Sequence, residues 1–337
     1  MVKTKKFIFA RRFVGVPKED DFTVVEEELP PLKEGEILCE AVWFSVDPYM
    51  RPYTANVPTG TTMIGSQAAR VIESKHPEYK VGIHVVGHFG WQTRSIVDID
   101  NIPAALWLSK PFIIPDFSGL PLSLALGALG MPGNTAYFGF LEICKPKPGE
   151  VVVVSGAAGA VGSHVGQLAK IKGCKVIGFA GSDDKVKWLK DELKFDAAFN
   201  YKTKDVTQAL KEAAPDGVDC YFDNVGGTLS SAVIAQMRER GRISVCGSIS
   251  SYNEDISKIP LAPIVQPSFV WKQLRMEGFI VSRWTDRWEE GINYNLQLIK
   301  DGKLIYRETV TEGFENIAKA FIEMLQGGNV GKAVVKA

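Results

Sequence analysis

The chain has 337 residues, 45% of them hydrophobic, with 39 basic and 39 acidic side chains that cancel to a formal charge of zero. That balance, with no polybasic run, excludes the electrostatic footprint of a nucleic-acid binder, and the length fits about two domains of roughly 100–200 residues each. No basic-then-apolar leader opens the chain, since residues 7–10 are followed at once by Arg11 and Arg12, and the longest apolar stretch, residues 120–131, is too short for a bilayer. A cytoplasmic protein with no membrane partner is the expectation. The five cysteines (Cys39, Cys144, Cys174, Cys220 and Cys246) are dispersed and never form Cys-x-x-Cys, which argues against both a disulfide framework and a zinc knuckle.

About the first 120 residues read as short strands at 7–13, 22–28, 36–44, 68–73 and 83–89, broken by Pro and Gly, and predict a twisted antiparallel barrel or sandwich. The lysines Lys3, Lys5 and Lys6 read as a solvated start to the first strand. Then the pattern changes. Strand-like and helix-like runs alternate: 151–155 then 162–171, 175–180 then 183–192, 197–200 then 206–213, 218–223 then 230–237, with 242–245 extending the series. Such alternation, with strands as short and apolar as Val151-Val-Val-Val154, is the mark of a doubly wound parallel sheet covered on both faces. Residues 260–267 read as a Pro-containing loop. The tail reads as helix over 289–300, strand over 306–310, helix over 314–325 and a closing strand over 332–336, so the C-terminal piece is expected to return to the N-terminal domain and leave the α/β unit inserted.

The sharpest motif is Val151-Val-Val-Val-Ser-Gly-Ala-Ala-Gly-Ala-Val-Gly162, which puts Gly156, Gly159 and Gly162 between an apolar strand and a helix. Gly156 permits a tight turn, Gly159 lets backbone approach a pyrophosphate, and Gly162 lets the helix pack close to the sheet. The helix N-terminus offers unpaired N–H groups to the phosphates. An isolated glycine triplet reads equally as a structural turn; the strand before, the helix after and the repeated units beyond favour a dinucleotide. Where an NAD-binding chain commonly places an acidic residue after the second strand, this one has Gly181-Ser182 and then Asp183-Asp184-Lys185. Room for a phosphate and a cation at Lys185 point to NADPH/NADP, the plain alternative being a solvated first-turn lysine.

Other chemistries lack their residues. The histidines are His76, His84, His88 and His164, and no nearby Cys or Glu completes a zinc set, so all four read as structural and no metal is assigned. Ser155-Gly156 and Gly247-Ser248 fall outside any Gly-x-Ser-x-Gly elbow.

With Met131-Pro-Gly-Asn-Thr-Ala-Tyr137 before the glycine turn, Asp223-Asn-Val-Gly-Gly227 after it and Asn329-Val-Gly-Lys332 near the end, the chain resembles the medium-chain dehydrogenase/reductase superfamily. Ser45-Val-Asp-Pro-Tyr-Met-Arg51, Phe199-Asn-Tyr-Lys202, Cys246-Gly-Ser-Ile-Ser250 and Leu274-Arg-Met-Glu277 narrow the resemblance to its zinc-independent alkenal/one oxidoreductases. The resemblance implies a GroES-like catalytic domain (residues 1–124 and 302–337) and a Rossmann NADPH-binding domain (residues 125–301), paired into a homodimer. Gly65-Ser-Gln67 stands where zinc-dependent relatives have a Gly-His-Glu ligand motif. The implied reaction is NADPH-dependent reduction of a carbon–carbon double bond conjugated to a carbonyl, with enones and enals such as 15-oxo-prostaglandins and lipid-derived alkenals as substrates.

Carried over, the cofactor contacts fall on Gly159, Ala160, Val161 and Gly162 for pyrophosphate, Lys185 for the 2′-phosphate and Tyr201 near the adenosine end. Asn224, the loop Cys246, Gly247, Ser248, Ile249, Ser250, Ser251 and Tyr252, then Phe279, Ile280, Val281 and Asn329 would contact the nucleotide or nicotinamide. Tyr201 and Phe279 read alternatively as core aromatics. One departure stands out: Trp271 occupies the place of a tyrosine in the resembled branch, which leaves Tyr49 as the nearby phenol and catalytic candidate, against the alternative of a packed barrel tyrosine. Oxidation of a leukotriene hydroxyl, quinone reduction, and a crystallin-like nucleotide-binding protein without turnover are the competing functions.

Overall fold

The computed structural model describes residues 2–102 and 110–337 and divides into two compact units, Met1–Leu126 with Glu308–Ala337, and Gly127–Arg307. Residues 302–307 belong to the second unit, where the Lys303 and Leu304 N–H groups bond to Leu298 O and the Ile305 N–H to Gln167 Oε1. The junction drawn at 301/302 from sequence thus falls at 307/308 in this division.

In the central unit, four consecutive valines make the strand Val151–Val154, buried at every position. Only a strand covered on both faces has that pattern. Its sheet runs Ala197–Asn200, Lys175–Ala180, Val151–Val154, Val218–Asp223, Met237–Val245, Arg275–Gly278, and every neighbouring pair is parallel. Side chains alternate between faces. Val151, Val153, Ile177, Phe179 and Tyr221 meet Ala209, Leu210, Val233 and Ile234 of the helices Val206–Ala213 and Gly227–Ile234. On the other face the Phe222 ring lies 6.5 Å from Phe140 of the helix Met131–Leu141.

Two elements depart from expectation here. The helix expected over 230–237 runs instead over Gly227–Ile234, and Met237 opens a strand whose register against Val218–Asp223 slips between Val218 and Cys220. Part of the expected 260–267 loop enters a short helix, Gln266–Lys272, with Pro267 in its first turn, where a missing N–H costs nothing.

The other unit is built on the long strand Glu36–Val46, paired antiparallel with Gln67–Ser74, Arg94–Asp98 and Lys332–Lys336. Beside that sheet, Val2–Phe9 pairs with Phe22–Leu29 and Thr61–Thr62. The first strand therefore begins before residue 7 and ends at Phe9. Lys3 and Lys6 lie on it and pair with Glu26 and Glu27 of the facing strand, so these members of the N-terminal basic cluster are engaged in cross-strand ion pairs. Phe7, Phe9, Phe22, Phe44, Trp91, Phe314 and Phe321 form the aromatic core, with Phe7 5.1 Å from Phe314 and 5.9 Å from Trp91. The C-terminal return contributes Glu308–Glu312, parallel to Lys332–Lys336, with the helix Ile317–Leu325 between them. Among the described residues no helix is long and apolar enough to cross a membrane.

Candidate functional site

The strand order of the central sheet reverses between Val151–Val154 and Val218–Asp223. In an open parallel sheet, a ligand sits beyond the carboxyl ends of the two strands at such a switch point. The turn leaving the first of them is shaped by absent side chains. Gly156 has φ +58°, and a Cβ on Gly162 would lie 2.3 Å from Gly156 O and 2.9 Å from Ala157 Cα. Gly159 precedes the helix Ala160–Ile171 with no side-chain cap, which leaves the first-turn N–H groups of Ala160, Val161 and Gly162 to an anion.

The second strand end is organised by Asp223, a buried carboxylate that the motif reading left without a role. Its Oδ1 accepts from Ser155 Oγ (3.0 Å), Tyr221 Oη (2.8 Å), and the N–H groups of Val225 and Gly226 (2.9 Å each). Its carbonyl accepts from the N–H groups of Cys246 (2.8 Å) and Gly247 (3.1 Å). Asn224 Nδ2 donates to Ser155 O at 2.7 Å, and Asn224 O accepts from Ile249 N–H at 3.2 Å. Within the loop, Ser248 N–H donates to Tyr252 Oη (3.2 Å), and Ser251 Oγ to Ser248 O (2.8 Å), while Ser250 Oγ returns to Val225 O (2.6 Å). Ser155, Asn224 and the loop from Cys246 through Tyr252 are thus tied together. The Cys246 thiol is pushed up to about 12 by burial and by Asp223, so it is unreactive.

After Lys175–Ala180, Ser182 caps the helix Asp183–Asp191 by accepting the Lys185 N–H at 3.4 Å. A Cβ on Gly181 would lie 3.0 Å from Tyr201 Oη and 3.5 Å from Lys202 Cε. Tyr201 is 41% exposed, which sets aside the core-aromatic alternative. Lys185 is held below the ordinary lysine range by burial and then by repulsion from Lys202. Lys202 therefore stands beside Gly181, near enough to Lys185 to repel it, and Asp183, whose charge complicated the sequence argument, is engaged by Asn200 Nδ2 at 2.8 Å. Lys202 was not foreseen. Its position two residues past the end of a neighbouring strand is the signal that marks it.

The Phe279 ring packs 5.7 Å from Trp284 and 6.3 Å from Phe222, beside the bare face of Gly139, as the core-aromatic alternative has it. Ile280 is exposed and Val281 starts a 3-10 turn. Trp271 is 84% exposed.

Tyr49 and Asn329 lie in the other unit. Asn329 Nδ2 donates to Gly331 O at 2.8 Å. Tyr49 packs 5.2 Å from the Tyr53 ring; burial pushes its phenol above the ordinary range. Next to it, Asp47 and Lys332 form an ion pair of 2.9 Å at 5% side-chain exposure each, with Lys332 Nζ also donating to Val46 O and Ala333 O. Of the histidines, His164 is buried against Asn295 Oδ1 at 3.0 Å, and His76 stands 3.6 Å from Asp100. Among the described residues no three His, Cys, Asp or Glu side chains gather as metal ligands.

Residues 5–104 match the family described as the N-terminal domain of oxidoreductase, and residues 160–295 that described as zinc-binding dehydrogenase. The chain is 51% identical to prostaglandin reductase 1 of Bos taurus over 100% of both chains. It is 39% identical to the NADP(+)-dependent 2-alkenal reductase of Nicotiana tabacum, over 99% of this chain and 97% of that one. A solved structure of CurA from Vibrio vulnificus in complex with NADPH, 36% identical, superposes with a TM-score of 0.89 over 99% of each chain.

Proposed function

The chain belongs to the prostaglandin reductase 1 family, within the zinc-independent medium-chain dehydrogenases/reductases, and on that premise we propose that it reduces the carbon–carbon double bond of α,β-unsaturated ketones and aldehydes with NADPH. The observation that carries the cofactor half is the bare cradle at the sheet's switch point, where Gly156 takes a positive φ and Gly162 lies against Gly156 O. The residues fit NADPH: Gly159, Ala160, Val161 and Gly162 would hold the pyrophosphate on the helix N-terminus, and Lys185 the 2′-phosphate beside Tyr201. The loop from Cys246 to Tyr252, Asn224, Phe279, Ile280, Val281 and Asn329 complete the assignment. On this reading residues 127–307 are the NADPH-binding domain and the other unit is the catalytic one.

NADPH, when bound, supplies the hydride that the β-carbon receives. What this chain must do is orient the enone, stabilise negative charge on the enolate oxygen and deliver a proton to the α-carbon. We assign the proton donation to Tyr49, which burial keeps protonated. Substrates are 15-oxo-prostaglandins and lipid-derived alkenals. The protein is cytoplasmic and a homodimer. Support for the dimer comes from the open edge strand Arg275–Gly278 and the exposed apolar side chains Leu261, Ile264, Val270, Trp271 and Met276 around it.

Incubation of an enal and of a 15-oxo-prostaglandin with NADPH, followed by mass and NMR analysis, tests the function. A saturated carbonyl product is expected. An allylic alcohol, hydroxyl oxidation only, or NADPH binding without turnover on either substrate overturns it. Light scattering on a sizing column should give twice the 37.0 kDa chain mass, and a monomer refutes the dimer.

A further inference from the structure

A dinucleotide with a phosphate on its adenosine ribose is told from one without it at the end of the strand that follows the glycine turn and its helix. An NAD-binding chain places an acid there, which bonds the ribose hydroxyl. Here the strand is Lys175–Ala180, and the Ala157 N–H of the glycine turn donates to Phe179 O at 2.9 Å, so turn and strand end adjoin.

The residue at that place, Gly181, has no side chain, and its neighbours leave little room for one. A Cβ on it would lie 3.0 Å from Tyr201 Oη and 3.5 Å from Lys202 Cε, so a phenol and a lysine stem stand where the acid would project. Backbone brings them there. Ala180 pairs with Asn200 across parallel strands, and the Tyr201 N–H donates to Ala180 O at 3.1 Å. The Asn200 amide then bonds in two directions. Its Oδ1 accepts the Lys202 N–H at 3.1 Å, and its Nδ2 donates to Asp183 Oδ1 at 2.8 Å. Asn200 O accepts the Thr203 and Lys204 N–H groups at 3.1 and 2.9 Å and closes the turn that carries Lys202. The acid that follows the strand end most closely in sequence is thus held by a neutral amide. Among the described residues no carboxylate pairs with the Lys202 ammonium, whereas Lys204 is engaged by Glu212 at 3.1 Å. A ribose phosphate carries about two negative charges near neutral pH, more than Lys185 alone can balance, and a dianion here would relieve the repulsion between Lys185 and Lys202.

We propose that Lys202 is a second cation for the 2′-phosphate of NADPH and that Asn200 is its positioning residue, so that the two select NADPH over NADH, an inference that rests on the cofactor site proposed above. Lys202 touches the cofactor on this account. Asn200 acts through it, by fixing the lysine backbone at the strand end and by keeping the Asp183 carboxylate from taking the ammonium as an ion-pair partner.

The test measures binding of 2′,5′-ADP and of 5′-AMP, which differ only in the 2′-phosphate, to the full chain by calorimetry. Lys202→Ala is expected to raise the Kd for 2′,5′-ADP about tenfold and to leave that for 5′-AMP within about twofold, while Lys202→Arg, which keeps the charge, stays within about threefold of wild type for both. Asn200→Asp keeps an acceptor for the Lys202 N–H, loses the donor to Asp183 and adds a carboxylate. It should raise the Kd for 2′,5′-ADP about tenfold, again with 5′-AMP within about twofold. Urea midpoints at the wild-type value report that the variants are folded. A Kd for 2′,5′-ADP within about twofold of wild type in Lys202→Ala, or a loss of equal size for both nucleotides, would overturn the role of Lys202 while NADPH binding stands. The same results in Asn200→Asp would overturn its positioning role. A wild-type chain that binds the two nucleotides equally overturns the 2′-phosphate site and this inference together.

Discussion

Replacing Gly162 by Ala should break the phosphate turn, and the structure sets the size of the effect. The new Cβ would stand 2.3 Å from Gly156 O, whereas carbon–oxygen contacts normally settle at about 3.3–3.6 Å, so backbone must retreat by about 1 Å. Both atoms nearest the new carbon are backbone, Gly156 O and Ala157 Cα, and neither can rotate away. Overpacking of this kind costs about 1–3 kcal/mol, and the better helix propensity of Ala returns about 1 kcal/mol, leaving a net loss of up to about 2 kcal/mol. A turn displaced by about 1 Å also misplaces the N–H groups that would meet the pyrophosphate, and losing one or two charge-assisted hydrogen bonds weakens NADPH binding about 10- to 100-fold or more. Gly159→Ala is the control. Its Cβ meets only Gly156 O at 3.4 Å, so stability should fall by no more than about 1 kcal/mol, while the methyl group obstructs the pyrophosphate and binding drops as far. Urea unfolding of the free protein and NADPH titration read the two quantities separately. Wild-type affinity and midpoint in Gly162→Ala would refute the packing argument, and wild-type affinity in Gly159→Ala would remove the pyrophosphate from this turn.

Lys185→Ala and Lys202→Ala should each raise the Kd for NADPH by about tenfold and leave that for NADH unchanged; equal effects on both cofactors would show that the pair does not read the 2′-phosphate. Lys332→Met strands the Asp47 carboxylate in a buried site and should cost about 3–5 kcal/mol in urea unfolding, and a loss under about 1 kcal/mol would contradict the role assigned to the ion pair. His164 is pulled down to about 4 by burial, against the opposing effect of the hydrogen bond its Nε2 makes to Asn295 Oδ1. Its folded value lies below the unfolded one of about 6.5, so the unfolded chain binds more protons between them. Stability is complete above that window and falls by up to about 3 kcal/mol as pH drops through it towards 4. His164→Gln, which cannot become cationic, should flatten that acid slope in urea unfolding, and an unchanged slope would place the titration elsewhere.

What could be read from sequence was what neighbours in sequence decide. The glycine turn, its strand and its helix lie within a dozen residues, and each glycine answers to a local demand of backbone or packing. The helix Met131–Leu141 escaped because Pro132, Gly133 and Gly139 look like breakers. Their reasons are tertiary: Pro132 occupies the tolerated first turn, and a Cβ on Gly133 would meet Ala128 O at 2.0 Å while one on Gly139 would meet the Phe279 ring at 2.2 Å. Met237 fits a helical period and a strand equally well, and the polar Arg238-Glu239-Arg240 run hid the strand it opens. The same distinction separates the site residues that were foreseen from those that were not. Asp223 and Lys202 each stood inside a motif that had been noticed, but their roles appear only across strands. Asp223 becomes a hub because the sheet order sets Ser155 beside it, and Lys202 comes to stand beside Gly181 because the strand before it runs next to the one that ends at Ala180. A motif therefore locates a cofactor in sequence, while the residues that shape and select it are found by asking which strand ends the sheet order makes neighbours.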